Sequence, residues 1–208
     1  MSDFSKSLNA AEQLKPSGPP MPSRPGNIAL TTSVAQSKQA IKQVAPIEDE
    51  LSYPVAARIG VLGCGQAGGR IAQAFWALGY RRVGVLNTTV NDFDGLDAEM
   101  PKLSLDVGGA SKDMKLAKQV LASRDADVRD LLFRAWGSGP LDCILICAGL
   151  GGGTGGGMSS SLVALARKHM AQTAGENTRV GAIVSLPQPG EGQLTCRNAI
   201  QAFSELMA

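Results

Sequence analysis

The stretch Gly149-Leu150-Gly151-Gly152-Gly153-Thr154-Gly155-Gly156-Gly157 follows directly on the apolar run Cys143 to Cys147 and carries seven glycines in nine residues. Glycine loses more backbone freedom on folding than any other residue, so a purely structural loop rarely holds so many. Beyond it, Met158, Leu162, Leu165 and Met170 recur at helical spacing. The reading is strand, glycine loop, helix. In such a unit the loop's amides and the free N–H groups of the following helix point at whatever binds above the strand end, and that ligand is an anion.

The same grammar repeats upstream. Arg58 to Leu62 is a short apolar run that enters Gly63-Cys64-Gly65-Gln66-Ala67-Gly68-Gly69. Ala67, Ile71, Phe75 and Leu78 then fall on one helical face, and Gly79 supplies the stop. Arg82 to Leu86 predicts another strand, and Asp113 to Trp136 a helical stretch broken near Ser123-Arg124-Asp125. Val180 to Val184 reads as a further strand, and Cys196, Ile200, Phe203 and Met207 as the apolar stripe of a last helix. Strands apolar on both faces that alternate with helices form a parallel sheet covered on both sides. The expected fold class is therefore α/β, a Rossmann-like parallel sheet flanked by helices, with its ligand outside the carboxyl ends of the strands. Two glycine loops at adjacent strand ends would give one anion two helix N-termini, each equivalent to about half a positive charge. A polyphosphate fits.

Residues 1–55 differ in kind. Seven of the eleven prolines lie there, and Phe4 and Tyr53 are its aromatics, so it reads as a flexible Pro-rich tail. A plain linker is the simpler reading, and a docking peptide for a partner the alternative. The division is then a tail over 1–55 and a nucleotide-binding domain over 56–208. A net charge of +2 is too small for the basic footprint of a nucleic-acid binder. No apolar run is long enough to span a membrane, and the N-terminus lacks the apolar core of a secretory signal. Four cysteines at 64, 143, 147 and 196 without CxxC pairing read as reduced thiols of a cytoplasmic protein.

Gly63, Gly65 and Gly68 satisfy G-x-G-x-x-G, the dinucleotide fingerprint. Against a nicotinamide site, the second strand ends in Leu86-Asn87-Thr88, where the ribose hydroxyls would want an acid. No G-x-x-x-x-G-K-[ST] occurs, which excludes an ordinary phosphate-loop nucleotidase.

Gly151 to Gly157, GGGTGGG, resembles the GGGTG[ST]G signature of the tubulin/FtsZ superfamily. GQAGGRI at Gly65 to Ile71 is similar to tubulin's GQ-x-GNQI and closer to the GQAGGK of CetZ-like proteins. Asn87-Thr88, Gly108 to Asp113, Leu186 to Gly192 and Asn198 to Phe203 follow in the family's order, so the resemblance runs from about Ile59 to Ala208.

The resemblance implies GTP with Mg²⁺ as ligand, GTP hydrolysis, and head-to-tail self-association into filaments. It places Gly65, Gln66 and Ala67 at the β- and α-phosphates, and Gly109 and Ala110 at the γ-phosphate. Gly151, Gly152, Gly153, Thr154 and Gly155 would wrap the phosphates, with the Thr154 hydroxyl donating, and Glu191 would accept from a ribose hydroxyl. Magnesium would be held by phosphates and water. With no loop lysine, charge neutralisation would rest on that ion, backbone amides and helix ends.

Three departures stand out. Gly156 replaces the signature's second hydroxyl residue and removes one phosphate contact. Thr195 stands where an arginine is expected, with Arg197 nearby. The chain stops at Ala208 inside a helix whose apolar face has no further element to pack on, which reads as a fragment lacking the guanine-reading and water-activating segments. No residue present has a role in activating water, and His169, the only histidine, reads as a packing residue. A nucleotide-binding scaffold or regulator that does not hydrolyse is the alternative function, and an oxidoreductase the remote one.

Overall fold

The computed structural model describes residues 57–173 and 178–208. The tail expected over 1–55 lies outside them. Five strands, β1 (Ile59–Cys64), β2 (Val83–Asn87), β3 (Lys102–Ser104), β4 (Cys143–Gly149) and β5 (Arg179–Ser185), form one sheet in the order β3-β2-β1-β4-β5. Every pairing is parallel. Five helices connect or follow them: α1 (Gly65–Ala77), α2 (Met114–Ser123), α3 (Asp125–Trp136), α4 (Gly153–Thr173) and α5 (Gln193–Met207).

The alternation of side chains along each strand explains the layering. Leu62, Cys64, Leu86, Ile144, Ile146 and Ala148 point to one face, where α2, α3, α4 and α5 cover them with Met114, Leu131, Met158, Leu162 and Ala202. Val61, Val83, Val85 and Cys147 point to the other, where Ala72, Ile71 and Phe75 of α1 pack with Leu96 and Met100. The central strands β1 and β2 are buried on both sides, as their uninterrupted apolar runs require. In register, Cys64 stands beside Leu86 and Ala148, so β1, β2 and β4 end at one level. That shared level is where the glycine loops begin.

The break expected near Ser123 to Asp125 is present, with Arg124 between α2 and α3. Each strand extends one or two residues past its expected C-terminal end, and β1 starts at Ile59 rather than Arg58. The sequence reading missed β3, which has three residues and one apolar side chain, Leu103. Leu78 lies past the end of α1 and is 77 % exposed, because Gly79 (φ +96°) turns the chain away. Helix α5 docks through Thr195, Asn198, Ala199 and Ala202, not through its apolar stripe. Ile200 and Met207 of that stripe are 70 % and 73 % exposed. No helix among the described residues is long and apolar enough to cross a membrane.

Candidate functional site

At the C-terminal ends of β1, β2, β4 and β5 lies an open cavity of about 630 Å³. The expected site residues Gly65, Gln66, Ala67, Gly109, Ala110, Gly151, Gly152, Gly153, Thr154, Gly155 and Glu191 all line it. Four segments separate in sequence, at 65–67, 109–110, 151–155 and 191, thus meet in one place because parallel strands deliver their outgoing loops to the same edge.

Two helices start at the cavity. Gly65 (φ +71°) turns the chain from β1 into α1, a conformation that a side chain would strain. A Cβ on Gly65 would stand 3.1 Å from the Gly155 nitrogen, so the N-termini of α1 and α4 abut. No side chain caps α1, and no acid lies in the first turn of α1 or α4. The first-turn N–H groups of both helices lack intrahelical partners, which leaves them for a ligand that is negative.

The glycines divide by purpose. Gly152 is exposed, and a Cβ there would meet nothing closer than the Gly149 oxygen at 3.7 Å, so this position is open toward the cavity. Gly155 and Gly156 instead press on backbone: a Cβ would lie 2.5 Å from the Gly149 oxygen and 2.4 Å from the Leu150 oxygen, respectively. A Cβ on Gly157 would lie 2.7 Å from the Met114 oxygen, which lets α4 approach α2. Gly68 is also a packing residue, since its Cβ would fall 2.1 Å from the Cys147 oxygen. The expectation for Gly156 is therefore corrected. A side chain at 156 points at the Leu150 carbonyl and away from the cavity, so its absence removes no phosphate contact on this backbone.

Thr154 is held by a partner the sequence reading passed over as a site residue. Its Oγ1 lies 2.7 Å from Oγ1 of the fully buried Thr88. The Thr88 amide donates to Asn87 Oδ1 at 2.7 Å, and Asn87 Nδ2 donates to Asp92 Oδ2 at 2.8 Å. Asp92 also lines the cavity. Asn87, which stands where a dinucleotide site would carry its acid, thus has its amide engaged within the turn that follows β2 rather than free for a ribose.

The Gly108–Asp113 loop closes another wall. Gly109 donates its N–H to the Thr88 carbonyl at 3.2 Å, so this amide is already engaged, and contact with a ligand falls to Ala110 and the residues after it. Asp113 faces backward: its Oδ1 accepts from the amides of Lys115 and Leu116 and caps α2. Lys112, by contrast, lines the cavity and donates from Nζ to Thr195 Oγ1 at 3.0 Å. The sequence offers no phosphate-loop lysine of the G-x-x-x-x-G-K-[ST] kind, and the cavity is lined by this lysine from another loop. Thr195 is buried where an arginine was expected, and it brings in the Lys112 ammonium instead. Arg197 does not line the cavity. A lysine three residues beyond Gly109, just before a helix N-cap, was the signal available.

On the far wall, Glu191 ends a 3-10 turn, Pro189–Glu191, and its Oε1 accepts from the Gln188 amide at 2.8 Å. This fixes the carboxylate at the mouth beside Leu186 and Pro187. Beneath the loops, Cys64 donates its thiol to the Thr154 carbonyl at 3.6 Å, and burial pushes its pKa up to about 12, which makes it an inert packing group. His169 lies away from the cavity, edge-on to Trp136, with ring centroids 6.0 Å apart. Burial, then the nearby Arg129, holds its pKa below the ordinary histidine value. Among the described residues no group of three or more His, Cys, Asp or Glu side chains is placed to hold a metal by itself.

No family model matches the chain. Among curated proteins it is 29 % identical to "Cell division protein FtsZ 1" of Pyrococcus furiosus over 192 residues, 87 % of this chain and 48 % of that one. It therefore spans about half the length of the curated relatives it matches. Among solved structures it superposes on CetZ1 from Haloferax volcanii, a GDP-bound monomer, with a TM-score of 0.61 at 23 % identity, covering 72 % of this chain and 47 % of that one. CetZ2 from the same organism, a GTPγS-bound protofilament, gives a TM-score of 0.61 at 25 % identity, covering 72 % and 46 %. The glycine loops, the parallel sheet that delivers them and these likenesses agree: the chain is similar in sequence to FtsZ and in fold to CetZ, proteins of the tubulin/FtsZ superfamily.

Proposed function

We propose that this chain binds a guanine nucleoside triphosphate at the cavity, its phosphates over the paired N-termini of α1 and α4. The observation that carries the reading is that convergence: the starts of α1 and α4, so close that a Cβ on Gly65 would stand 3.1 Å from the Gly155 nitrogen, with no acid in either first turn, facing one open space. The CetZ likenesses carry guanine nucleotides, and this favours GTP over ATP. Gln66, Ala67 and Gly151 to Gly155 would donate to the phosphates, Thr154 through its hydroxyl, and Glu191 would accept from a ribose hydroxyl. The nucleotide-binding domain runs over 56–208 on this reading.

Magnesium fits the cavity chemistry. It wants hard oxygen donors and keeps most of its water when one carboxylate and the phosphates hold it. Asp92, beside Thr88 and Thr154, is the carboxylate on that wall, and the bound ion would neutralise phosphate charge there.

GTP hydrolysis and head-to-tail polymerisation belong to the same reading as properties of a tubulin/FtsZ-like cytoplasmic protein. The two acids on the cavity wall already have roles on this reading, Asp92 toward magnesium and Glu191 toward the ribose, and each has one oxygen engaged, by Asn87 and by the Gln188 amide. This favours a catalytic carboxylate supplied from outside Met1–Ala208, and this chain alone would bind nucleotide without turning it over. Calorimetric titration of Met1–Ala208 with GTP, ATP and NADH in magnesium buffer, alongside phosphate release at rising protein concentration, tests the proposal. Heat of binding for GTP above that for NADH, without phosphate release, is expected; equal binding of NADH would overturn it.

A further inference from the structure

The cavity is short of positive charge. The helix starts of α1 and α4 together amount to about one elementary charge, and Asp92 and Glu191 subtract from it. A triphosphate carries one more full negative charge than a diphosphate. Lys112 is the one cationic side chain that lines the cavity among the described residues. Its placement is built rather than incidental. Nζ is held at 3.0 Å by Thr195 Oγ1, from a threonine that is 7 % exposed. Its carbonyl accepts from Asn198 Nδ2 at 2.9 Å, which ties the main chain to α5. Ser111 and Lys112 both sit in left-handed backbone, at φ +45° and +66°, a conformation that non-glycine residues keep only where surrounding contacts impose it. An ammonium has three donors and Thr195 takes one, leaving two for phosphate oxygens.

We infer that Lys112 is a phosphate ligand that sets the preference of this site for a nucleoside triphosphate over a diphosphate. The inference rests on the nucleotide reading above and adds to it a direct charge contact from a side chain. Thr195 and Asn198 are positioning residues: they hold Lys112 over the cavity and touch no phosphate through it.

The experiment is calorimetric titration of Met1–Ala208 with GTPγS and with GDP, in magnesium buffer, at low and high salt. Wild type is compared with Lys112→Gln, Lys112→Arg and Thr195→Val, each checked by circular dichroism. Lys112→Gln is expected to weaken GTPγS by about tenfold or more while GDP stays within about twofold, as loss of a charge-assisted contact requires. It should also flatten the salt dependence of GTPγS binding. Lys112→Arg should restore most of the preference, and Thr195→Val should weaken GTPγS less than Lys112→Gln does. If Lys112→Gln weakens both ligands equally, or Thr195→Val reproduces it in full, Lys112 is a structural pin and the inference is overturned. If wild type binds neither ligand, the nucleotide reading falls first and this inference with it.

Discussion

Oγ1 of Thr88, at the end of β2, lies 2.7 Å from Oγ1 of Thr154, at the start of α4, and joins the central strands to the signature loop through two hydroxyls. Thr88 is fully buried and Thr154 only partly, so the pair has an inner member that orients and an outer member that can face a ligand. If Thr88 donates, the Thr154 proton is free for a phosphate oxygen. Thr154→Ala should weaken GTPγS binding by about 1.5–3 kcal/mol, the value of one charge-assisted hydrogen bond. Thr88→Val should cost less, about 1 kcal/mol, because it only releases the rotor. The double variant should bind no worse than Thr154→Ala alone, since both act through one proton. Additive losses in the calorimetric cycle would contradict this coupling.

The glycines of the signature loop should separate binding from stability. Gly152→Val places its side chain in open cavity, so the protein should melt near the wild-type temperature and fail to bind nucleotide. Gly155→Val drives a side chain onto the Gly149 oxygen and should destabilise the fold by about 3 kcal/mol, as overpacking does. Thermal denaturation followed by titration distinguishes them. A Gly152→Val variant that melts early, or that binds normally, would refute the assignment of Gly152 as the ligand-facing glycine.

An ion pair across the helical layer gives a pH dependence. Lys118 of α2 reaches Glu205 of α5 at 2.6 Å, and Ser160 of α4 donates to the same carboxylate at 3.3 Å. Burial pushes the Glu205 carboxyl up, but the hydrogen bonds and charge of Lys118, with Gln201 and Ser160, outweigh it and hold the pKa below its ordinary 4.5. A carboxyl with a depressed folded pKa stabilises above its unfolded value and loses that contribution as pH falls through the folded one. Glu205→Gln should therefore lower stability by about 0.5–1 kcal/mol at neutral pH, for a pair that is partly exposed. The gap should narrow as pH falls below the ordinary carboxylate range and close in acid once the folded carboxyl is protonated. Urea unfolding at both pH values measures it, and a gap that persists in acid would show that packing, not charge, is lost.

Much of this was legible in the residues. Uninterrupted apolar runs announced β1, β2, β4 and β5, and the two glycine loops announced where a ligand sits, because both signals are local. β3 was not legible: three residues with Leu103 alone apolar leave no period, and its strand character comes from pairing with Val85 to Asn87. The stripe of α5 was found, but which face docks was not, since α4 accepts the small residues Ala199 and Ala202 rather than Ile200 and Phe203. Gly156 was misjudged because a one-letter comparison with a signature carries no direction, and here the missing side chain would point at Leu150. Lys112 was missed for a related reason. Only the left-handed turn at Ser111 and Lys112 and the distant Thr195 bring its ammonium into the cavity, and neither is written locally.

The central claim is that phosphates sit over the joined starts of α1 and α4, and amide hydrogen exchange with and without ligand reads those N–H groups directly. Met1–Ala208 with GTP and magnesium should exchange more slowly over Gly65–Gly69 and Gly151–Gly157 than the free protein, while α3 stays unchanged and NADH protects neither loop. Protection absent from both loops under saturating GTP, or matched there by NADH, would contradict the account.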